Sequence, residues 1–268
     1  MELLGRELAQ GKTKIIWESG AHDTVVIQSK DDITAGDGLR HDIIEGKAAL
    51  ATQTASNVFK LLARADIATH FLGQQSPDTF LAKKVSMFPI ECVTRRVAFG
   101  SYLKRHPEIM PETRFKAPVT EFFDKDDARH DPFIDYDRVN GVIRRYAANQ
   151  PSTGESLIDE LAGRAAIRLR PDFWTAVRRL CTNVFEVVES AWAEQDVTLV
   201  DLKLECGQTS YGELVVADVI DNDSWRLWPG GDPEKMVDKQ LYRDGRPLAE
   251  VASAYEWVAQ ATEAFAVD

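Results

Sequence analysis

Two short segments carry the residues best suited to chemistry. In Leu199-Val200-Asp201-Leu202-Lys203-Leu204-Glu205-Cys206, the apolar residues 200, 202, 204 and 206 alternate with Asp201, Lys203 and Glu205. A half-buried strand turns successive side chains to opposite faces, so the three charges share one face. The next run, Leu214 to Ile220, holds a single acid, Asp218, among apolar neighbours. An acid there is costly to bury without a partner. If the strands pair antiparallel through a four-residue turn, Ser210–Glu213, Glu205 lies directly opposite Asp218. A two-residue turn would keep both acids on one face, offset diagonally. Carboxylates that converge in this way repel unless a cation lies between them, and Mg²⁺ favours one or two carboxylates combined with nucleotide phosphates. A solvated Asp–Lys–Glu ladder is the competing reading.

The basic segments point to phosphate. Gly11-Lys12-Thr13 resembles the tail of a Walker loop, but Arg6 stands where the first glycine is needed and a strand follows instead of a helix. In that strand Lys12 and Lys14 share a face, about 7 Å apart, and could straddle a polyphosphate; lysines solvating an edge strand would look the same. Thr94–Arg105 places Arg95, Arg96, Lys104 and Arg105 around a Gly100-Ser101 step. Free backbone N–H groups, a hydroxyl and arginines suit a phosphate monoester. Asp221–Trp228 mixes acids, Arg226 and aromatics just after the candidate metal strand, and Ala35-Gly36-Asp37-Gly38 is a glycine-rich turn. The five histidines, His22, His41, His70, His106 and His130, show no metal-binding spacing, and no GxSxG elbow occurs.

The elements that must position these residues read as α+β in two lobes with a cleft between. Lys12–Glu18 and Thr24–Ser29 form a hairpin. Ile44, Ala48, Ala51, Ala55, Val58 and Leu62 trace a helical stripe from Asp42, which Asp42 and Glu45 could cap. Phe80–Val85 and Ile90–Val97 are strands around Met87-Phe88-Pro89. Pro171 opens a helix that runs over Phe173–Ala193, strands Thr198–Cys206 and Leu214–Ile220 follow, and Val251–Phe265 is a closing helix. The charged stretch Arg138–Arg170 reads as a surface excursion. The lobes divide as residues 1–90 and 91–268.

Composition bounds the function. With 32 basic and 43 acidic residues the net charge is −11, which argues against nucleic acid as a partner. No apolar run approaches the roughly 18 residues that span a bilayer, and Met1–Lys12 does not read as a signal peptide. Cys92, Cys181 and Cys206 are far apart and odd in number, so neither a disulfide framework nor a thiolate zinc site is expected. They read as packing residues, and a reducing cytoplasm fits.

Ordered motifs then resemble one family along most of the chain. They are Gly11-Lys12-Thr13-Lys14, Ser29–Asp37, Glu45-Gly46-Lys47-Ala48-Ala49, Pro89–Val93, Gly100–Arg105, Lys125–Ala128 with His130-Asp131-Pro132, Leu199–Glu205, Asp218–Pro229 and Asp238-Lys239-Gln240 with Tyr242-Arg243. The sequence resembles the SAICAR synthetases (phosphoribosylaminoimidazole-succinocarboxamide synthases), particularly the synthetase half of the bifunctional animal enzyme. Cys206 stands where that family usually has an aromatic residue, and Phe133–Thr198 is longer than in its relatives.

The resemblance implies an N-terminal lobe like the small lobe of a protein kinase and an α+β C-terminal lobe. It also implies ATP-dependent joining of L-aspartate to an imidazole ribonucleotide carboxylate through an acyl phosphate. By position, Lys12, Lys14, Lys83 or Lys84, and Lys125 would contact the nucleotide, with Met87 and Ile90 bordering adenine and Glu205 and Asp218 holding Mg²⁺. Arg95, Ser101, Asp37, Asp131, Lys239 and Arg243 would bind substrate, and Lys203, Asp223 and Arg226 would act at the reacting end. The partners expected are small molecules, with no membrane, in a homo-oligomer. Two other readings share the motifs: a paralogue acting on another heteroaryl carboxylate in nucleoside-antibiotic biosynthesis, and a nucleotide-binding regulator without catalysis.

Overall fold

The computed structural model describes residues 5–36, 38–137, 139–140, 142–162 and 171–266. Strands β1 (Glu7–Gln10), β2 (Lys14–Glu18) and β3 (Thr24–Ser29) lead into a small ribbon, β4 (Asp32–Ala35) with β5 (Arg40–Ile43). Helix α1 (Lys47–Arg64) follows, then β6 (Phe71–Ser76) and β7 (Thr79–Lys83), which complete a five-stranded sheet in the order β1-β2-β3-β7-β6. Next come β8 (Val85–Met87), β9 (Ile90–Val97), α2 (Ser101–Arg105), β10 (Arg114–Asp124), β11 (Phe133–Asp137), β12 (Val142–Tyr146) and β13 (Leu157–Ala162). The chain continues through α3 (Pro171–Ala193), β14 (Val197–Thr209), β15 (Leu214–Ala217), β16 (Trp225–Pro229), α4 (Gln240–Arg243) and α5 (Leu248–Ala261).

Strand β14 organises the larger sheet. One edge pairs with β9 at residues 201–204 and then with β8 at 207–209; the other pairs with β16 at 197–202 and then with β15 at 205–208. Both the start and the end of the chain's middle section therefore converge on the strand that carries Lys203 and Glu205. Its apolar residues Leu202, Leu204 and Cys206 sit in the main core with Val177, Val184 and Phe185 of α3. The same core includes Val25, Ile27, Val58 and Phe59 from before residue 90. Burying such side chains stabilises the fold by about 1.5–3 kcal/mol each.

Several expectations change. Helix α1 starts at Lys47 rather than Asp42, because Gly46 adopts a left-handed conformation (φ 84°). The Asp31 carboxylate, rather than Asp42, accepts from the backbone N–H groups of Gly46 and Ala48 at 3.3 and 2.8 Å. Asp42 lies in β5 and accepts from the Tyr242 hydroxyl at 2.8 Å. Within the charged stretch Arg138–Arg170, Val142–Tyr146 and Leu157–Ala162 are sheet: β12 and β13 extend β10 and β11 as an antiparallel meander. Its charges mislead because Arg145 is consumed by Asp159 and Asp124, while Val142 and Ile143 are buried. Arg138 and residues 163–170 lie outside the described residues. The three cysteines, distant in sequence, meet in the core. No described helix is long and apolar enough to cross a membrane.

Candidate active site

Two adjoining cavities share the walls Gly11, Lys14, Lys125, Glu205 and Asp218. The first, about 450 Å³, lies under the five-stranded sheet and is lined mainly by Leu8, Ile16, Val25, Ile27, Val85 and Met87. The second, about 550 Å³, is lined by charge, including Lys12, Glu91, Asp131, Lys203, Asp221, Asp223, Lys239 and Arg243. A mainly apolar cavity adjoining a polar chamber, with two acids lining both, suits a nucleotide. A larger cavity of about 690 Å³, between α1 and α3, has no such convergence of charge.

Glu205 and Asp218 do converge, by a different route from the one their spacing suggests. Glu205 pairs with Ala217, not with Asp218. Thr209 N–H donates to the Glu213 carbonyl at 3.0 Å, so only Ser210, Tyr211 and Gly212 form the loop. This three-residue connection shifts the register by one, which would ordinarily send Asp218 to the opposite face. Strand β15 instead ends at Ala217, and Asp218 takes a left-handed conformation, φ 64°, that returns its carboxylate to the cleft. Strained backbone of this kind at a non-glycine residue persists where its surroundings hold it, commonly at functional sites.

Three lysines meet the two acids. Lys14 donates to Asp218, Lys125 Nζ donates to Glu205 at 2.7 Å, and Lys203 Nζ lies 2.9 Å from Glu91 and 3.6 Å from Glu205. Burial opposes the Asp218 charge, but Lys14 and Lys203 outweigh it and bring its pKa down to about 2. Glu205 is raised, first by burial and then by Asp218, against the pull of Lys203 and Lys125. Lys203 is raised despite burial, by Glu91, Glu205 and Asp218. Hard carboxylate oxygens lining the same charged chamber are the kind of donor that Mg²⁺ favours.

The polar chamber has a second charged group. Asp223 accepts from Lys239 Nζ at 2.7 Å and from the Tyr255 hydroxyl. Lys47, 1% exposed, lies 5.2 Å from the centre of the Tyr255 ring. Burial works against the Asp223 charge, yet Lys47 and Lys239 hold its pKa low, while burial and Asp223 raise Asp221. Asp131 lines the same chamber and accepts from the Asp126 backbone at 2.9 Å. Lys12 lies in the β1–β2 turn rather than in the strand, so strand alternation does not align it with Lys14; it pairs with Asp127 at 3.0 Å.

A model of the SAICAR synthetase family matches residues 7–262. The chain belongs to that family. It is 46% identical over 265 residues to the phosphoribosylaminoimidazole-succinocarboxamide synthase of Chloroflexus aurantiacus, covering 97% of this chain and 96% of the relative. It is 40% identical to the multifunctional protein ADE2 of Gallus gallus, covering 97% of this chain and 58% of that protein. Among solved structures, the synthase from Ehrlichia chaffeensis superposes with a TM-score of 0.79 at 28% identity, covering 97% and 99% of the two chains. A SAICAR synthetase in complex with ADP gives 0.78 at 28% identity, covering 95% and 96%.

Placed on this synthetase fold, the expected residues divide. Lys12, Lys14, Lys125, Asp131, Lys203, Glu205, Asp218, Asp223, Lys239 and Arg243 line the chamber, and Lys83 and Met87 line the apolar slot. Ile90 is fully buried in the core. Arg95, Ser101 and Arg226 line neither cavity. Arg95 is 2% exposed and bonded to Glu121, Asp201 and Ser101. Arg226 packs over Gly100 (φ 60°), where an added Cβ would come within 2.9 Å of its guanidinium. Asp37 lies outside the described residues.

Glu91, Lys47, Asp221 and Tyr255 went unassigned. Glu91 carries the same signal as Asp218, an acid inside an apolar strand. Lys47 gives no such signal, since a lysine at a helix start reads as solvated; only α5 folding over it reveals the burial.

Proposed function

We propose that the chain joins L-aspartate to the carboxylate of 5-amino-1-(5-phospho-ribosyl)imidazole-4-carboxylate at the expense of ATP, giving SAICAR, ADP and phosphate. The observation that carries this reading is the meeting of Glu205 and Asp218, with Lys14, Lys125 and Lys203, at the junction of an apolar slot and a charged chamber. Family membership and the ADP complex of a relative support nucleotide use.

Residues 1–90 would form the nucleotide lobe, with the adenine in the slot bordered by Ile16, Val25 and Met87. Residues 91–268 would supply the substrate and metal side. Glu205 and Asp218 would hold Mg²⁺, which when bound neutralises the triphosphate. Lys239 and Arg243 would meet the anionic ends of the substrates, because Arg95 is already committed to Glu121 and Asp201.

A carboxylate resists an amine because oxide is a poor leaving group. Transfer of the γ-phosphoryl group to it makes phosphate the leaving group. Lys14, Lys125 and Lys203 are placed to stabilise charge on the transferring oxygens. The aspartate amine then attacks the acyl phosphate, loses a proton and expels phosphate. Holding the reactants in line supplies much of the acceleration, so the reaction requires no Ser-His or Cys-His pair.

The test is product identification by mass with purified protein, ATP, Mg²⁺, L-aspartate and the imidazole ribonucleotide carboxylate. SAICAR formation that is abolished in Glu205→Ala with the fold retained is the expected result. Turnover only with a different heteroaryl carboxylate would instead establish the paralogue, and no ATP cleavage with any substrate would establish the regulator.

A further inference from the structure

Cys92 on β9, Cys181 on α3 and Cys206 on β14 are each fully buried, and their sulfurs all lie within 4.8 Å of one another. All three belong to the main apolar core, and all are free thiols. The side chains come from three elements that share no local sequence, so the cluster is a product of tertiary packing. It lies outside both cavities of the candidate active site.

We propose that these three thiols form a binding site for a trivalent thiophile, of which arsenous acid is a small neutral example. With sulfur bonds of about 2.3 Å, the pyramidal arsenic centre holds its three sulfurs roughly 3.5 Å apart, so a cluster whose sulfurs lie within 4.8 Å of one another must contract to close on one centre. The exchange balances without an oxidant: As(OH)₃ + 3 RSH gives As(SR)₃ + 3 H₂O. Three As–O bonds break and three As–S bonds form, each thiol proton leaves with a hydroxide as water, and arsenic stays trivalent.

Charge selects this class of ligand. The arsenic adduct is uncharged, as a dry apolar core requires. Zinc bound by three thiolates would carry a net negative charge and would still seek a fourth ligand. Among the described residues no histidine, carboxylate or further cysteine joins the group. A cuprous ion with three thiolates would carry yet more negative charge. Entry of a small neutral solute needs opening of the core, which costs up to the global unfolding free energy, so loading is slow and calls for long incubation.

The cluster lies behind the reacting strand. Cys206 follows Glu205, and Cys92 pairs in register with Leu204, between Lys203 and Glu205. Drawing the sulfurs inward therefore pulls on the segment that carries both, and a filled site slows turnover. This coupling rests on the proposed reaction, whereas the site itself does not.

The experiment incubates the full chain, reduced with a phosphine, with excess arsenite, removes the free reagent and measures intact mass. The expected result is one arsenic gained and three hydrogens lost per chain, with most turnover lost. The retained adduct should be absent from Cys181→Ala and, independently, from Cys92→Ala, so that the misfolding of one variant leaves the test intact. No adduct in the wild-type chain, or one retained equally by a folded two-cysteine variant, overturns the site. Retention of zinc or cuprous ion in preference to arsenic overturns the ligand class. An adduct with full turnover overturns only the coupling to the strand.

Discussion

Along one face of β14, two ion clusters lie almost side by side and have opposite characters. Asp201 accepts from Arg95 and Arg226 at 2.5 Å each, and Arg95 continues to Glu121 at 2.7 Å, which also accepts from Arg105 at 2.6 Å. The side chains of Arg95, Arg105, Glu121 and Asp201 are all 5% exposed or less. Two residues further along, Lys203 is 36% exposed and Glu205 meets Lys125, itself 42% exposed. The closed cluster pairs its charges internally, leaving only Arg226 Nε without a partner among its buried side-chain nitrogens, and holds β9, β10, β14 and β16 together. The open one is an arrangement of charges that a phosphate and a divalent cation could re-pair. Residue type does not distinguish them; access to a ligand does.

The largest difference between them should appear in Glu205→Gln. Turnover is expected to fall about a thousandfold or more, since metal stabilisation of transferring oxygens is worth several kcal/mol, while urea unfolding shifts little. Near-normal turnover at saturating magnesium would dissolve the distinction. Glu121→Gln should do the reverse. Leaving the buried Arg105 guanidinium without its carboxylate, with Arg95 held by Asp201 alone, costs about 3–5 kcal/mol, which would show as a lower denaturation midpoint; a loss of activity without a loss of stability would move Glu121 into the reacting group.

A third test uses pH. Asp238, which accepts from the Leu227 and Gln240 backbone N–H groups at 2.9 and 2.8 Å, is pushed up to about 6, chiefly by burial. The folded state therefore holds its proton more tightly than the unfolded state, and the associated stability is lost as pH rises from about 4 through about 6. Relative to Asp238→Asn, the wild type should lose about 3 kcal/mol across that window. Parallel stability curves for the two proteins would show the carboxyl to be ionised throughout. The smallest effect is expected for Lys12→Ala, whose exposed pair with Asp127 contributes at most about 1 kcal/mol. Its consequence should be a raised KM for ATP, with the melting temperature unchanged.

The sequence showed more of the open cluster than of the closed one. An acid such as Asp218 within an apolar strand is conspicuous, and alternation alone placed Lys203 and Glu205 on one face. Arg95 and Ser101 read as a phosphate grip because arginines beside a Gly-Ser step look the same whether their partners are ligands or buried acids. Glu121 and Asp201, which claim Arg95, come from other strands and leave no local trace. The strands β11–β13 were hidden for a related reason: the charges on Arg144 and Arg145 masked the apolar alternation beneath them.

The chain's own order of residues settled the family, the α+β class, the helix over α3 and the core strands, and it singled out Glu205 and Asp218, because these follow from periodicity and from motifs local in sequence. Tertiary structure alone decided that the acids meet through a shifted register and a left-handed Asp218, and that Arg95 is spoken for. It alone buried Lys47 and gathered three distant cysteines. Each of these depends on contacts between segments far apart in the chain, and no local pattern of side chains encodes the distance between them.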